Sequence, residues 1–110
     1  MELQHEKRGG VLVIKILGGR LDAYCAQDFK KQVVDMLEEN PKVVVSLEDV
    51  SFVDSSGLGA LLSCLREANK RGGDMKIAGT QPPVRAMFEL TRMHRVFEIF
   101  NTADEAVASY

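Results

Sequence analysis

The run Val43-Val44-Val45-Ser46-Leu47, and after it Asp54-Ser55-Ser56-Gly57-Leu58-Gly59, settles what kind of fold this chain can adopt. The first run is short, apolar and β-branched, which predicts a strand buried on both faces. Glu48 and Asp49 end it, and Ser51-Phe52-Val53 leads into the small polar turn Asp54-Ser55-Ser56-Gly57. From Leu58 the period changes. Leu58, Leu61, Leu62, Leu65 and Ala68 fall at i, i+3, i+4, i+7 and i+10, one face of a helix. Lys70 and Arg71 suit the negative end of the helix dipole, and Gly72-Gly73 supplies a left-handed stop.

The order is strand, acidic-hydroxyl turn, helix. It places the backbone N–H groups of Ser56, Gly57 and Leu58 at a helix N-terminus. Such a terminus leaves about four N–H groups without internal partners and carries roughly half a positive charge. It suits an anion, including a phosphate carried on a nearby serine. The plainer reading is that Asp54 or one of the serines caps the helix.

On the N-terminal side, Val11 to Leu17 alternates, with Leu12, Ile14 and Ile16 on one face and Lys15 on a wetter one. Glu2 to Lys7 alternates weakly, and Gly9-Gly10 between the two runs is a hairpin signal. Gly18-Gly19 breaks the second strand. Asp22 then precedes a helical pattern, Phe29, Val33, Met36 and Leu37, which Asn40-Pro41 ends. On the C-terminal side, Met75-Lys76-Ile77-Ala78 predicts a strand, and Thr80-Gln81-Pro82-Pro83 opens a helix carrying Val84, Met87 and Phe88. Arg92 to Arg95 reads as a solvated basic connection and Val96 to Phe100 as a last strand. Thr102-x-x-Glu105 is a capping box for a final helix with Ala106 and Val107 toward the sheet.

The sum, β-β-α-β-α-β-α-β-α, predicts an α/β single domain over residues 1–110. It would have a mixed sheet of four to five strands with about four helices packed on it and right-handed crossovers. Sites in such sheets form at the carboxyl ends of the parallel strands. If the strands before Gly18 and Asp54 are neighbours, Asp22 and Ser55 share one rim.

Composition narrows the function. The 110 residues are 45% hydrophobic and 27% charged, which suits one globular domain. A net charge of −2 argues against a general basic surface for nucleic acid. No apolar run approaches the roughly 18 residues of a membrane span, and the Met1 to Glu6 stretch lacks the pattern of a signal peptide. The expected location is the cytoplasm. Cys25 and Cys64 stand apart without a CxxC motif, and His5 and His94 are isolated. Free thiols and no metal or cofactor are therefore the expectation.

Three segments together carry a resemblance: Gly19-Arg20-Leu21-Asp22, the segment from Leu47 to Gly59, and Gly72-Gly73 before a strand. They resemble the STAS domain, and more closely the stand-alone anti-anti-sigma factors (anti-sigma factor antagonists) of bacteria. The likeness runs over nearly the whole chain. It implies a non-enzymatic regulator of transcription that works by partner switching. In its unphosphorylated form it would bind an anti-sigma factor with serine kinase activity and so release a sigma factor. Phosphorylation would end the binding, and a metal-dependent serine phosphatase would restore it. By position the acceptor is Ser55, with Ser56 as the other hydroxyl. The partner-binding residues implied are Asp22, Asp54, Ser56, Gly57, Leu58 and Gly59. Tyr24-Cys25 departs from the pattern, which often has Thr or Asn there.

Three other readings compete. A hydrolase would need a Gly-x-Ser-x-Gly elbow and a placed histidine, and Ser55 has neither. A phospho-aspartate receiver would need an acidic pair after the first strand to hold Mg²⁺, where this chain has Gly18-Gly19. A STAS adaptor of another system, such as a stressosome component or a subunit of a lipid-transport ABC complex, would keep the fold and change the partner.

Overall fold

The computed structural model describes Met1–Tyr110. Strands β1 (Leu3–Arg8) and β2 (Val11–Ile16) form the expected hairpin, in register from Leu3 opposite Ile16 to Arg8 opposite Val11. Gly9 and Gly10 join them with φ of +58° and +84°. Two successive left-handed residues match the turn to the twist of the strands, which is why two glycines stand there. After Gly18-Gly19 come the two-residue strand β3 (Arg20–Leu21), helix α1 (Ala26–Leu37) and β4 (Lys42–Ser46). Then follow β5 (Phe52–Val53), α2 (Ser55–Lys70), β6 (Asp74–Ala78), α3 (Pro82–Leu90), β7 (Ile99–Phe100) and α4 (Ala103–Ala108).

The fold is α/β, with four helices and a mixed sheet of five strands in the order β1-β2-β4-β6-β7. Strand β1 is the antiparallel edge, and the remaining pairs are parallel. Val43, Val44 and Val45 are all fully buried, as the unbroken apolar run requires. Val43 and Val45 join Leu12, Ile14, Ile16 and Ile77 in the main core, which α1, α2 and α3 close with Phe29, Val33, Leu61, Leu65 and Phe88. Val44 faces the other way, onto a small second core with Val11, Val13, Ala78 and Ala106 of α4. Alternation along the strands thus divides the side chains between two covered faces.

Helix α4 is held at both ends. Thr102 Oγ1 accepts from Glu105 N–H at 3.1 Å, the cap that the sequence predicts. At the far end the buried Lys76 donates to Ser109 Oγ at 2.7 Å and lies 4.2 Å from the Tyr110 ring centroid. The Tyr110 hydroxyl accepts from Val43 N–H at 3.2 Å and reaches the carbonyls of Val43 and Asp74 at 2.6 and 2.8 Å. Burial pushes the Tyr110 hydroxyl pKa up, so it remains a donor there.

Two C-terminal expectations are corrected. The basic connection is not an open loop: Met93–Arg95 forms a 3₁₀ turn entered through Arg92 at φ 61°. The last strand is Ile99–Phe100 alone, not Val96 to Phe100. Val96 ends the 3₁₀ turn, and Phe97 packs edge-on against Phe88 with centroids 5.9 Å apart. That packing occupies the residues which would otherwise have lengthened the strand.

Cys64 is on the buried face of α2, and desolvation pushes its thiol up to about 12, while Cys25 is only half-buried. The thiolate is the nucleophile, so the raised value and the burial act together. Iodoacetamide at pH 8 is expected to modify Cys25 and leave Cys64 intact in the folded protein, with both modified in denaturant. Peptide mapping reads the result, and native labelling of Cys64 at the rate of Cys25 would contradict this packing.

Candidate functional site

The hydroxyl-bearing turn is built by a small sheet that the periodicity of the sequence does not announce. Strands β3 and β5 pair in parallel, Arg20 with Phe52 and Leu21 with Val53. Ser51 tightens the pairing, its N–H and its Oγ both donating to Gly19 O at 2.9 and 3.2 Å. One step beyond Leu21 and Val53 come Asp22 and Asp54. The turn before α1 and the start of α2 are therefore brought side by side.

Asp54 fastens them. It is extended, with φ −102° and ψ −176°, and its Oδ1 accepts from Gly57 N–H at 2.8 Å. That bond makes Asp54 the N-cap. Oδ2 accepts from Ala23 N–H at 3.1 Å, across the gap to the turn before α1. One carboxylate thus starts α2 and ties it to the neighbouring turn.

Because Asp54 is the cap, α2 begins at Ser55, three residues before the leucine pattern. Gly57 N–H is taken by the Asp54 side chain and Leu58 N–H by the Asp54 carbonyl at 3.0 Å. The N–H groups left for an anion are those of Ser55 and Ser56, the first two helical positions, and not the set from Ser56 to Leu58. Ser55, Ser56 and Gly59 are exposed and Asp54 is partly so. Ser56 is neither the cap nor turned inward.

Asp22, Gly57 and Leu58, which the resemblance places at a partner surface, are buried here. Asp22 Oδ1 accepts from Tyr24 N–H at 3.1 Å, and Oδ2 pairs with Arg20 Nε at 3.1 Å. Its carbonyl accepts from Cys25 and Ala26 N–H. Asp22 therefore shapes the turn that leads into α1, and its carboxylate already has partners inside the fold. At Gly57 an added Cβ would stand 2.2 Å from Leu21 O. The glycine is what lets α2 lie directly against β3. Leu58 points into the main core. These three residues hold the rim in shape, and Ser55, Ser56 and Gly59 form its surface.

Three further residues flank the rim: Arg20, Tyr24 and Phe52. Tyr24 is 91% exposed and Phe52 53% exposed. Sequence periodicity points to neither, because a two-residue strand, which holds Phe52, and a turn, which holds Tyr24, have no repeat to detect. A concavity of about 640 Å³ lies away from the two serines, along Leu3, Glu6, Arg8, Lys15 and Ser46. Neither it nor a second concavity bordered by Gly18, Arg20 and Cys25 is lined by Ser55 or Ser56.

A family model described as STAS domain matches residues 2–106. Among curated relatives, the anti-sigma F factor antagonist of Paenibacillus polymyxa is 27% identical over 109 residues, 97% of this chain and 92% of the relative. Among solved structures, an anti-sigma factor antagonist from Mycobacterium paratuberculosis superposes with a TM-score of 0.87 at 24% identity. That match covers 98% of this chain and 92% of the other. The Bacillus cell fate determinant SpoIIAA, solved in its phosphorylated form, superposes with a TM-score of 0.73 at 22% identity over 98% of each chain. At these identities the two structures speak to the fold.

Proposed function

The chain belongs to the STAS domain family, and from that premise we propose that it is an anti-anti-sigma factor switched by phosphorylation of Ser55. Its curated homologues are anti-sigma factor antagonists, which are regulatory proteins rather than enzymes. In this reading the unphosphorylated form binds an anti-sigma factor that is also a serine kinase and thereby releases a sigma factor. Phosphorylation of Ser55 ends that binding, and a metal-dependent serine phosphatase restores it. The reaction takes place in the cytoplasm.

The observation that supports the reading is the placement of Ser55. Its side chain is exposed at the first position of α2, next to a carboxylate already fixed by the N–H groups of Gly57 and Ala23. A phosphoserine adds about −1.5 to −2 charges and three strong acceptors. The N–H groups of Ser55 and Ser56 and the positive end of α2 receive that charge at little cost to the fold. A partner fitted to a hydroxyl there meets instead a hydrated dianion beside Asp54.

Incubation with the organism's own anti-sigma factor kinase and ATP is expected to add about 80 Da, one phosphoryl group, located on Ser55 by fragmentation. Ser55→Ala is expected to abolish the addition. Phosphate found on Ser56 in the wild type would move the acceptor by one residue, and no transfer to either serine would overturn the proposal.

A further inference from the structure

We propose that β1 pairs antiparallel with β1 of a second copy of this chain, joining two five-stranded sheets into one across a two-fold axis at His5. Strand β1 ends the sheet order β1-β2-β4-β6-β7, and its six residues have a partner strand on one side only. The opposite edge, β7, is two residues long. A long edge presents a row of unpaired N–H and C=O groups, which is a template for another strand.

The hairpin register fixes which groups those are. Leu17 N–H donates to Glu2 O, one step beyond Leu3 opposite Ile16. Antiparallel pairs alternate between bonded and non-bonded, so Glu2, Gln4, Glu6 and Arg8 exchange their bonds with β2. Leu3, His5 and Lys7 turn theirs outward. These three lie symmetrically about His5. A reversed copy of the strand therefore sets Leu3 against Lys7, His5 against His5 and Lys7 against Leu3. Every outward N–H and C=O of β1 then finds a partner, with two bonds to each pair.

Charge selects the same register. Opposite residues of an antiparallel pair lie on one face, so two copies of one strand meet centred on a residue and not between two. Centred on His5, the pairing sets Glu2 against Arg8 and Gln4 against Glu6 of the second copy, with no like charges opposed. A centre at Glu6 opposes Glu6 to itself, a centre at Lys7 opposes Lys7 to itself, and a centre at Gln4 opposes Glu2 to Glu6. Arg8 also pairs with Asp104 of α4, and its five donors serve both carboxylates. Charged side chains commonly shield an edge from other chains. On β1 they exclude the three neighbouring registers and leave one open, and that self-complementarity is what names a second copy as the occupant.

One strand pair is smaller than the standard interface of about 800 Å² on each partner, so the dimer is a weak one. Sedimentation equilibrium of the full chain at pH 8, where an ordinary histidine is neutral, tests it. The mass is expected to rise from 12.2 kDa toward twice that value between about 10 μM and about 1 mM protein. Amide exchange followed by NMR is expected to slow at Leu3, His5 and Lys7 over the same range, while Gln4, Glu6 and Arg8 stay protected throughout. Gln4→Lys is expected to tighten the dimer and Gln4→Glu to weaken it, each at least about twofold, because the axis applies every substitution twice. Lys7→Pro removes an outward N–H without touching a hairpin bond and is expected to weaken the dimer about tenfold or more. The two Gln4 variants decide the matter if the proline variant does not fold. A constant mass of 12.2 kDa over the whole range would overturn the pairing. So would a dimer of equal strength in Gln4→Lys and Gln4→Glu. Ser55 takes no part in any of these measurements, so they stand or fall apart from the switch.

Discussion

Ser55→Asp is expected to bind the anti-sigma factor kinase roughly a hundredfold more weakly than the wild type, with a melting temperature within about 3 °C of it. The two halves of that expectation have separate causes. Position 55 is exposed and is the first residue of α2. A carboxylate there meets the positive end of the helix, which is worth about 0.3–1 kcal/mol. Its nearness to Asp54 opposes that gain. The net change in stability is small, as for most surface substitutions.

In a complex the balance reverses. The same carboxylate is covered by a surface shaped for a hydroxyl, and a charge left unpaired at an interface costs about 2–5 kcal/mol. Since each 1.4 kcal/mol or so is tenfold in affinity, roughly a hundredfold corresponds to about 2.8 kcal/mol, in the lower half of that range. Ser55→Asn separates charge from bulk, having nearly the size of Asp with none of its charge. It is expected to lose clearly less affinity than Ser55→Asp. Calorimetry of the three proteins checks this, and equal losses would assign the effect to crowding alone. Wild-type affinity for Ser55→Asp would end the electrostatic account.

Gly57→Ala is expected to lower stability by about 2–3 kcal/mol and the melting temperature by roughly 10 °C. The added Cβ would lie 2.2 Å from Leu21 O and 2.9 Å from Leu21 C, which are backbone atoms that no rotamer can move aside. Helix α2 must back away from β3, and that movement stretches the Asp54 bond to Ala23 N–H as well. Partner binding is therefore expected to fall together with stability. Gly59→Ala, two residues on, is the contrast. Its added Cβ would meet nothing within 4 Å, and the residue lies inside α2. Removing a helical glycine in open space stabilises by up to about 1 kcal/mol. Thermal unfolding followed by circular dichroism measures both variants. A Gly57→Ala protein that melts with the wild type would show that the approach of α2 to β3 can relax at no cost.

The frame of the molecule was legible because its elements carry strong periods. Val43-Val44-Val45 has no polar alternate position, so it needed cover on both sides, and α4 supplies the second cover. The Leu58 to Ala68 spacing marked the buried face of α2, and Thr102-x-x-Glu105 marked the start of α4. These are contacts made within one or two turns of chain, where side-chain spacing and capping chemistry act directly. The short pieces were not legible. Two-residue strands such as β3 and β5 hold too few side chains to show a period, and they form because Gly19 and Ser51 meet from distant parts of the chain.

The candidate site divides in the same way. Local chemistry alone indicates a serine on an acidic turn at the head of a helix, and the family resemblance is what implies Ser55 as the residue to modify. Which of its neighbours face outward depends on contacts more than 30 residues apart in sequence: Asp54 with Ala23, and Gly57 against Leu21. Those contacts turn Asp22, Gly57 and Leu58 inward and leave Ser55 and Ser56 in the open. A sequence carries the chemistry of each residue and the period of each element. Exposure is a property of what packs on top, and only the assembled fold supplies that.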